Sequence, residues 1–275
     1  MTTRVRSSDG IRLAVYESGV RDGSVVVAVH GYPDNHTVWD GVAAALGDTH
    51  RVVSYDVRGA GASDAPPTKA GYRIPLLVDD LLAVLDEVAP DRPVHLLAHD
   101  WGSIQSWAAL TDPRTHGRLA SFTSVSGPSL AHAAAWLRGF RKYPRAALRQ
   151  LAHSYYMLLF QVPRLPEAAV RAGMIDRAVG KRDHRDQTNG INLYRANRRG
   201  GLAGATPAQI DIPVLVIAPQ DDPFVTPALQ TQAPVPFVRN LRTMVIPGGH
   251  WILTRRPEVI AGCMREFVDE VDVED

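Results

Sequence analysis

The chain has 275 residues, enough for one large domain or a domain carrying a sizeable insertion, and its 45% hydrophobic and 21% charged residues are ordinary for a soluble globular protein with a core. A formal charge of +1 gives no electrostatic footprint for nucleic acid, so no nucleic-acid partner is expected. The single cysteine, Cys263, excludes an intrachain disulfide and fits a reducing compartment.

The opening Met1–Gly10 is polar and lacks the apolar stretch of a signal peptide, and no apolar run approaches the roughly 20 residues that span a bilayer. A cytoplasmic chain without an integral membrane segment is expected. Ser24–His30 is β-branched and continuous, as a strand buried on both faces should be. Thr37–Leu46 has helical spacing, Arg51–Tyr55 is a second strand, and Ile74–Val88 is a second helix. Val94–Ala98 and Leu119–Ser126 follow as strands, and Pro213–Ala218 and Thr243–Ile246 supply two more. Arg256–Val271 closes the chain as a helix with Pro257 in its first turn. Strands alternating with helices predict an α/β fold with a mostly parallel sheet flanked by helices.

Residues 129–205 differ. They hold several helical segments, no convincing strand, and turn signals at Pro144, Pro163, Pro166, Gly180 and Gly200–Gly201. Such an insertion is expected to be a helical lid over the carboxyl ends of the strands, with 1–128 and 206–275 forming the core. Fourteen of the 30 Lys and Arg residues but only four of the 29 Asp and Glu fall within it. Solvated outer faces of lid helices explain this most simply. Docking to a membrane surface, an acidic partner or an anionic substrate is the sharper alternative.

The strand Val94–Ala98 runs into Ala98-His99-Asp100-Trp101-Gly102 and then a helix, the strand–turn–helix context of a nucleophile elbow. Small residues must flank the exposed position because the backbone crowds there, and Ala98 and Gly102 do so around Asp100. Ser103 is excluded by bulky flanks, Trp101 and Gln105. A carboxylate is already ionised at neutral pH and can displace at a strained or activated carbon, leaving an ester to be hydrolysed. A helix-capping aspartate is the structural alternative. His250, in Pro247-Gly248-Gly249-His250-Trp251 after the last strand, is placed to activate water. Its orienting acid follows the preceding strand in Gln220-Asp221-Asp222-Pro223, where Asp222 fits the usual offset better than Asp221. The order nucleophile, acid, histidine suits this arrangement. In His30-Gly31-Tyr32-Pro33, the Tyr32 N–H is expected to join the Trp101 N–H in an oxyanion hole, with His30 and His99 structural.

These four loops resemble the epoxide hydrolase branch of the α/β-hydrolase superfamily over nearly the whole chain. The loops are similar in haloalkane dehalogenases, which also use an aspartate; the lid separates the two. Tyr156, four residues before Phe160-Gln161-Val162-Pro163, resembles one of the paired lid tyrosines of epoxide hydrolases, and Tyr194, in Asn192-Leu193-Tyr194-Arg195, resembles the other. The resemblance implies that Asp100 attacks an epoxide while Tyr156 and Tyr194 hold and protonate its oxygen, that His250 and Asp222 drive hydrolysis of the ester, and that a vicinal diol leaves. No metal or organic cofactor is implied. Trp136, Phe140, Tyr155, Met157, Leu158, Leu159 and Phe160 suggest an apolar epoxide substrate. A haloalkane dehalogenase, or a non-catalytic hydrolase-fold binding protein, is the alternative. Two departures stand out: Ala98 where many relatives have glycine, and no glycine after the Phe-Gln-x-Pro turn, so the lid path is expected to differ locally. Some bacterial relatives carry a C-terminal short-chain dehydrogenase domain; this sequence holds no Gly-rich nucleotide fingerprint.

Overall fold

Valine-rich runs with no polar face form the middle of the sheet. A computed structural model describes residues 2–198 and 207–274. Among these residues, eight strands form one sheet in the order β1-β2-β4-β3-β5-β6-β7-β8. They are β1 (Thr2–Arg6), β2 (Arg12–Gly19), β3 (Ser24–Val29), β4 (His50–Tyr55), β5 (Val94–His99), β6 (Leu119–Val125), β7 (Val214–Pro219) and β8 (Leu241–Ile246). From β4 to β8 all pairings are parallel, whereas β2 is antiparallel to both β1 and β4. The central strands β3, β5 and β7 are buried over almost their whole length, which is what continuous apolar strands require.

Helices cover both faces. On one side α2 (Ile74–Val88) and α3 (Trp101–Ala109) pack Leu81, Val84, Leu85 and Trp107 against Val27, Leu96 and Phe122. On the other, α1 (Asp40–Leu46) and α12 (Pro257–Glu274) pack Val42, Leu46, Ile260 and Met264 against Val26, Leu97 and Ile217. The expected helix over Thr37–Leu46 is split: a 3-10 turn over His36–Trp39 precedes α1, because the Asn35 side chain caps the Thr37 N–H and sets a tighter first turn.

Between β6 and β7 lie α4 (Leu130–Arg138), α5 (Pro144–His153), α6 (Tyr156–Leu159), α7 (Leu165–Arg171), α8 (Met174–Val179) and α9 (His184–Ala196). The expected lid boundary at 205/206 and the Gly200–Gly201 turn lie outside the described residues. Where the Phe-Gln-x-Pro turn lacks its glycine, Arg164 adopts the left-handed conformation (φ 65°) that glycine tolerates best. The turn is made nonetheless, with an arginine under strain. After β7 come α10 (Pro227–Gln232), and after β8 α11 (Ile252–Arg255).

Candidate active site

The carboxyl ends of β3, β5, β7 and β8 converge on one point. Asp100 follows β5 directly and has φ 51° and ψ −121°, a strained conformation that turns the chain from strand into α3 and lifts the carboxylate off the sheet. Its side chain makes no cap hydrogen bond to α3, which removes the helix-capping alternative. The turn survives only because its neighbours lack side chains. A Cβ on Gly102 would lie 2.1 Å from the Val29 carbonyl, and one on Gly31 would lie 2.4 Å from Asp100 Oδ1. One on Gly127, beyond β6, would lie 2.3 Å from the Asp100 carbonyl. Sequence reading picked out Gly102 and overlooked the constraint on Gly31 and Gly127, whose only signal is their position at strand ends.

The two carboxylate oxygens of Asp100 have different surroundings. Oδ1 accepts the Tyr32 N–H at 2.7 Å, and the Trp101 N–H also favours the charge of the carboxylate. Oδ2 lies 3.7 Å from His250 Nε2, too far for a direct hydrogen bond. Burial is the dominant influence and pushes the Asp100 carboxyl up to about 6, against the pull of His250 and the two N–H groups. At neutral pH it remains mostly ionised.

His250 Nδ1–H donates to Asp222 Oδ2 at 2.9 Å. Asp222 Oδ1 is held by the Phe224 and Val225 N–H groups at 2.8 and 3.0 Å. Burial opposes the charge on Asp222, but His250 and these N–H groups outweigh it and keep the carboxyl below its ordinary value. Burial likewise opposes charge on His250, while Asp222 and Asp100 raise its pKa above the ordinary 6.5. Asp221 is exposed and does not reach the imidazole. The rings of His99, Trp251 and Phe224 surround His250 at 4.7, 4.8 and 4.9 Å. His99 Nε2–H donates to the His250 carbonyl (2.9 Å), and His30 bridges Gly31 O and Val57 N–H, so both act on the backbone of the site loops. Ser103 is fully buried, 2.7 Å from the Gly127 carbonyl and 2.5 Å from Ser124 Oγ.

Tyr156 begins α6 and Tyr194 lies in the last turns of α9; their rings meet edge-to-face at 5.9 Å. The residues that make up the two tyrosine motifs fasten them to each other. Arg195 donates to the Phe160 and Val162 carbonyls (2.9 and 3.1 Å) and pairs with Glu167, while Gln161 donates to the Tyr194 carbonyl at 3.2 Å. Burial pushes the pKa of both phenols upward, with Asp100 adding to the effect, so both stay protonated. Tyr194 packs edge-on against Trp101 and Tyr32 at 4.9 and 5.5 Å. Room for the Tyr32 ring comes from Gly190 on α9, where a Cβ would lie 2.3 Å from it.

Asp100, His250, Tyr156, Tyr194 and Tyr32 line one cavity of about 580 Å³, whose other walls are apolar, among them Phe160, Ile175 and Phe224. A second, more polar cavity of about 980 Å³ lies behind His250 and Trp251. Asp34 lines this second cavity, accepting the Trp251 indole N–H at 2.8 Å and pairing with Arg182 from the segment after α8. Sequence reading missed both: nothing about an Asp after Pro33, or one arginine among many, marks such a link. Among the described residues no cluster of His, Cys, Asp and Glu could hold a metal ion.

A family profile for the alpha/beta hydrolase fold matches residues 24–257. The chain belongs to the alpha/beta hydrolase family. Among similar alpha/beta hydrolase sequences, a Mycobacterium tuberculosis protein named probable oxidoreductase EphD is 38% identical over 99% of this chain and 50% of its own length. The chain thus spans half the length of that relative. Epoxide hydrolase A of Mycobacterium tuberculosis is 28% identical over 99% of this chain and 98% of its own. Among solved structures, epoxide hydrolase VrEH1 from Vigna radiata superposes with a TM-score of 0.80 at 24% identity, covering 98% of each chain. An epoxide hydrolase from Bacillus megaterium, solved with a naphthyloxy-propanediol product, gives 0.79 at 21% identity over 97% of this chain and all of the other.

Proposed function

We propose that the chain is an epoxide hydrolase that converts an apolar epoxide to a vicinal diol through an ester on Asp100. The observation that carries this reading is the pair of protonated phenols, half-buried Tyr156 and buried Tyr194, lining the same apolar cavity as a carboxylate on a strained elbow. The name of the relative covered over almost its whole length, epoxide hydrolase A, supports it.

Oδ2 of Asp100, the oxygen that the Tyr32 N–H does not hold, attacks an epoxide carbon in line; the C–O bond of the strained ring breaks. A lid phenol delivers its proton to the leaving oxygen, the other holding it by hydrogen bond. The ester carbonyl is then Oδ1, already in contact with the Tyr32 N–H. His250, its Nδ1–H fixed on Asp222, takes a proton from water through Nε2, and the hydroxide adds to the Asp100 carbonyl carbon. The resulting oxyanion rests against the Tyr32 and Trp101 N–H groups. As the acyl C–O bond of the ester breaks, His250 gives its proton to the departing alcohol oxygen; Asp100 is released as a carboxylic acid, its proton returns through solvent to the phenolate, and the diol leaves. One epoxide and one water give one diol, with no cofactor or metal in the scheme.

The same reading makes 129–205 a lid on a core of 1–128 and 206–275, and the Asp100–Asp222–His250 set a catalytic triad. A cytoplasmic location is part of it, supported by the lone Cys263. Among the described residues no helix is long and apolar enough to cross a membrane. The test is diol formation from styrene oxide and from a long-chain epoxide by the wild type and by Asp100→Ala. Diol from the first and none from the second is the expected result. Halide release from haloalkanes without diol would replace the reading with a dehalogenase. Tight ligand binding without any product would replace it with a binding role.

A further inference from the structure

The cavity opens on a face that is apolar and basic at once. Tyr155, Leu159, Leu165 and Met174 line it and are also exposed to solvent, so they form its mouth. Beside them on α6, Leu158 is 73% exposed and points away from the cavity lining. On α5, Ala147 and Gln150 turn inward, while Leu148 and Leu151 face solvent alongside the exposed Arg145 and Arg149. Single exposed leucines need no explanation, but a succession of them along the two consecutive helices that lead up to the mouth of an apolar pocket does. The charges around them are one-sided. Between 138 and 177 all eight Lys and Arg side chains are exposed, and among the described residues none of the eight makes an ion pair. The two acids of that stretch, Glu167 and Asp176, are taken up by Arg195 and by Gln187 and His184.

We propose that this face docks on an anionic lipid bilayer, the leucines entering the boundary between headgroups and acyl chains and the arginines meeting lipid phosphates. Long apolar side chains flanked by unpaired arginines are the composition of a surface that lies in a membrane interface. The unbalanced positive charge selects anionic over neutral lipid. Docking stands independently of the reaction at Asp100. Its consequence, if Asp100 does open epoxides, is a pocket mouth held at the lipid surface, where an apolar substrate concentrates.

The purified chain is sedimented with phosphatidylcholine vesicles, with and without phosphatidylglycerol. Binding is expected only to the phosphatidylglycerol-containing vesicles, and raising salt to about 1 M, where the screening length is only about 3 Å, should release it. Arg145→Glu/Arg149→Glu should weaken binding at least about thirtyfold. Leu151→Glu/Leu158→Glu should abolish it with the thermal unfolding midpoint unchanged; neither leucine lines the cavity. Equal binding to neutral vesicles, no binding to either, or full binding by the leucine variant would each overturn the proposal. A concentration-dependent dimer in light scattering that the leucine variant abolishes, without vesicle binding, would assign the face to a second copy of the chain instead.

Discussion

Replacing Asp222 by asparagine should stop the enzyme after the first chemical step, and the hydrogen bonds around that side chain fix why. Oδ1 of Asp222 accepts two backbone N–H groups, from Phe224 and Val225, and Oδ2 accepts the His250 Nδ1–H. An asparagine must keep its oxygen on the two N–H donors, because turning the amide over would oppose donor to donor twice. Its NH₂ group then faces His250 and demands an unprotonated Nδ1. The proton moves to Nε2, the nitrogen that looks toward Asp100. A base carrying its proton on the working nitrogen cannot activate water. The loss expected for a wrong-tautomer histidine is on the order of ten-thousandfold in kcat, or about 5 kcal/mol of activation free energy. The Asp100 carboxylate needs no base, so ester formation should survive. Stopped-flow with an epoxide that quenches Trp101 fluorescence should therefore show a rapid first phase close to that of the wild type, followed by almost no turnover. A kcat within about tenfold of wild type would refute the tautomer argument. Loss of both phases would show that Asp222 supports the nucleophile as well.

Four further outcomes follow from the same geometry. Tyr156→Phe and Tyr194→Phe should each slow ring opening by about a hundredfold or more, measured as the first-phase rate, because each removes a proton donor to the leaving oxygen. In the free enzyme kcat/KM should fall as pH drops through the Asp100 titration near 6, since the attacking carboxylate must be ionised, and kcat should fall as the raised His250 becomes protonated, since the base that activates water must be neutral; the phenols, pushed above their ordinary 10, should cause no loss until pH exceeds about 10. Gly31→Ala should cut kcat at least about a hundredfold, because its Cβ would stand 2.4 Å from Asp100 Oδ1 and displace the nucleophile; wild-type kcat in a folded Gly31→Ala protein would contradict this. Arg164→Gly should raise stability by about 1 kcal/mol in denaturant titration by relieving a left-handed arginine at φ 65°.

Much of the sheet could be read from the sequence because β3, β5, β6 and β7 are buried on both faces, which spells β3 and β7 in consecutive apolar residues and leaves β5 and β6 with only small or hydroxyl residues and histidine among their apolar ones. The pair β1 and β2 escaped notice: β1 buries only Val5 of its five residues, so Thr2–Arg6 carries too little apolar signal for a strand at the sheet edge. Helices α6 to α8 have only four to seven residues each, too short for a helical period to show. At the site, the Asp100 elbow was legible because strand, turn and helix constraints fall within nine adjacent residues. The choice of Asp222 over Asp221 rested on the offset before Pro223, and in the fold only Asp222 meets His250. What stayed hidden are contacts between distant segments. The Arg182–Asp34–Trp251 link joins residues far apart in sequence, and the mutual fastening of the Tyr156 and Tyr194 segments through Gln161 and Arg195 explains those motif residues only once the helices are packed.

The account stands or falls on whether a diol oxygen comes from Asp100. A single turnover in heavy-oxygen water, with enzyme in excess over epoxide, decides it. The account predicts an unlabelled diol and one heavy oxygen in the peptide carrying Asp100. A diol already labelled on that first turnover, with an unlabelled Asp100 peptide, would mean that water attacks the epoxide directly and that no ester forms.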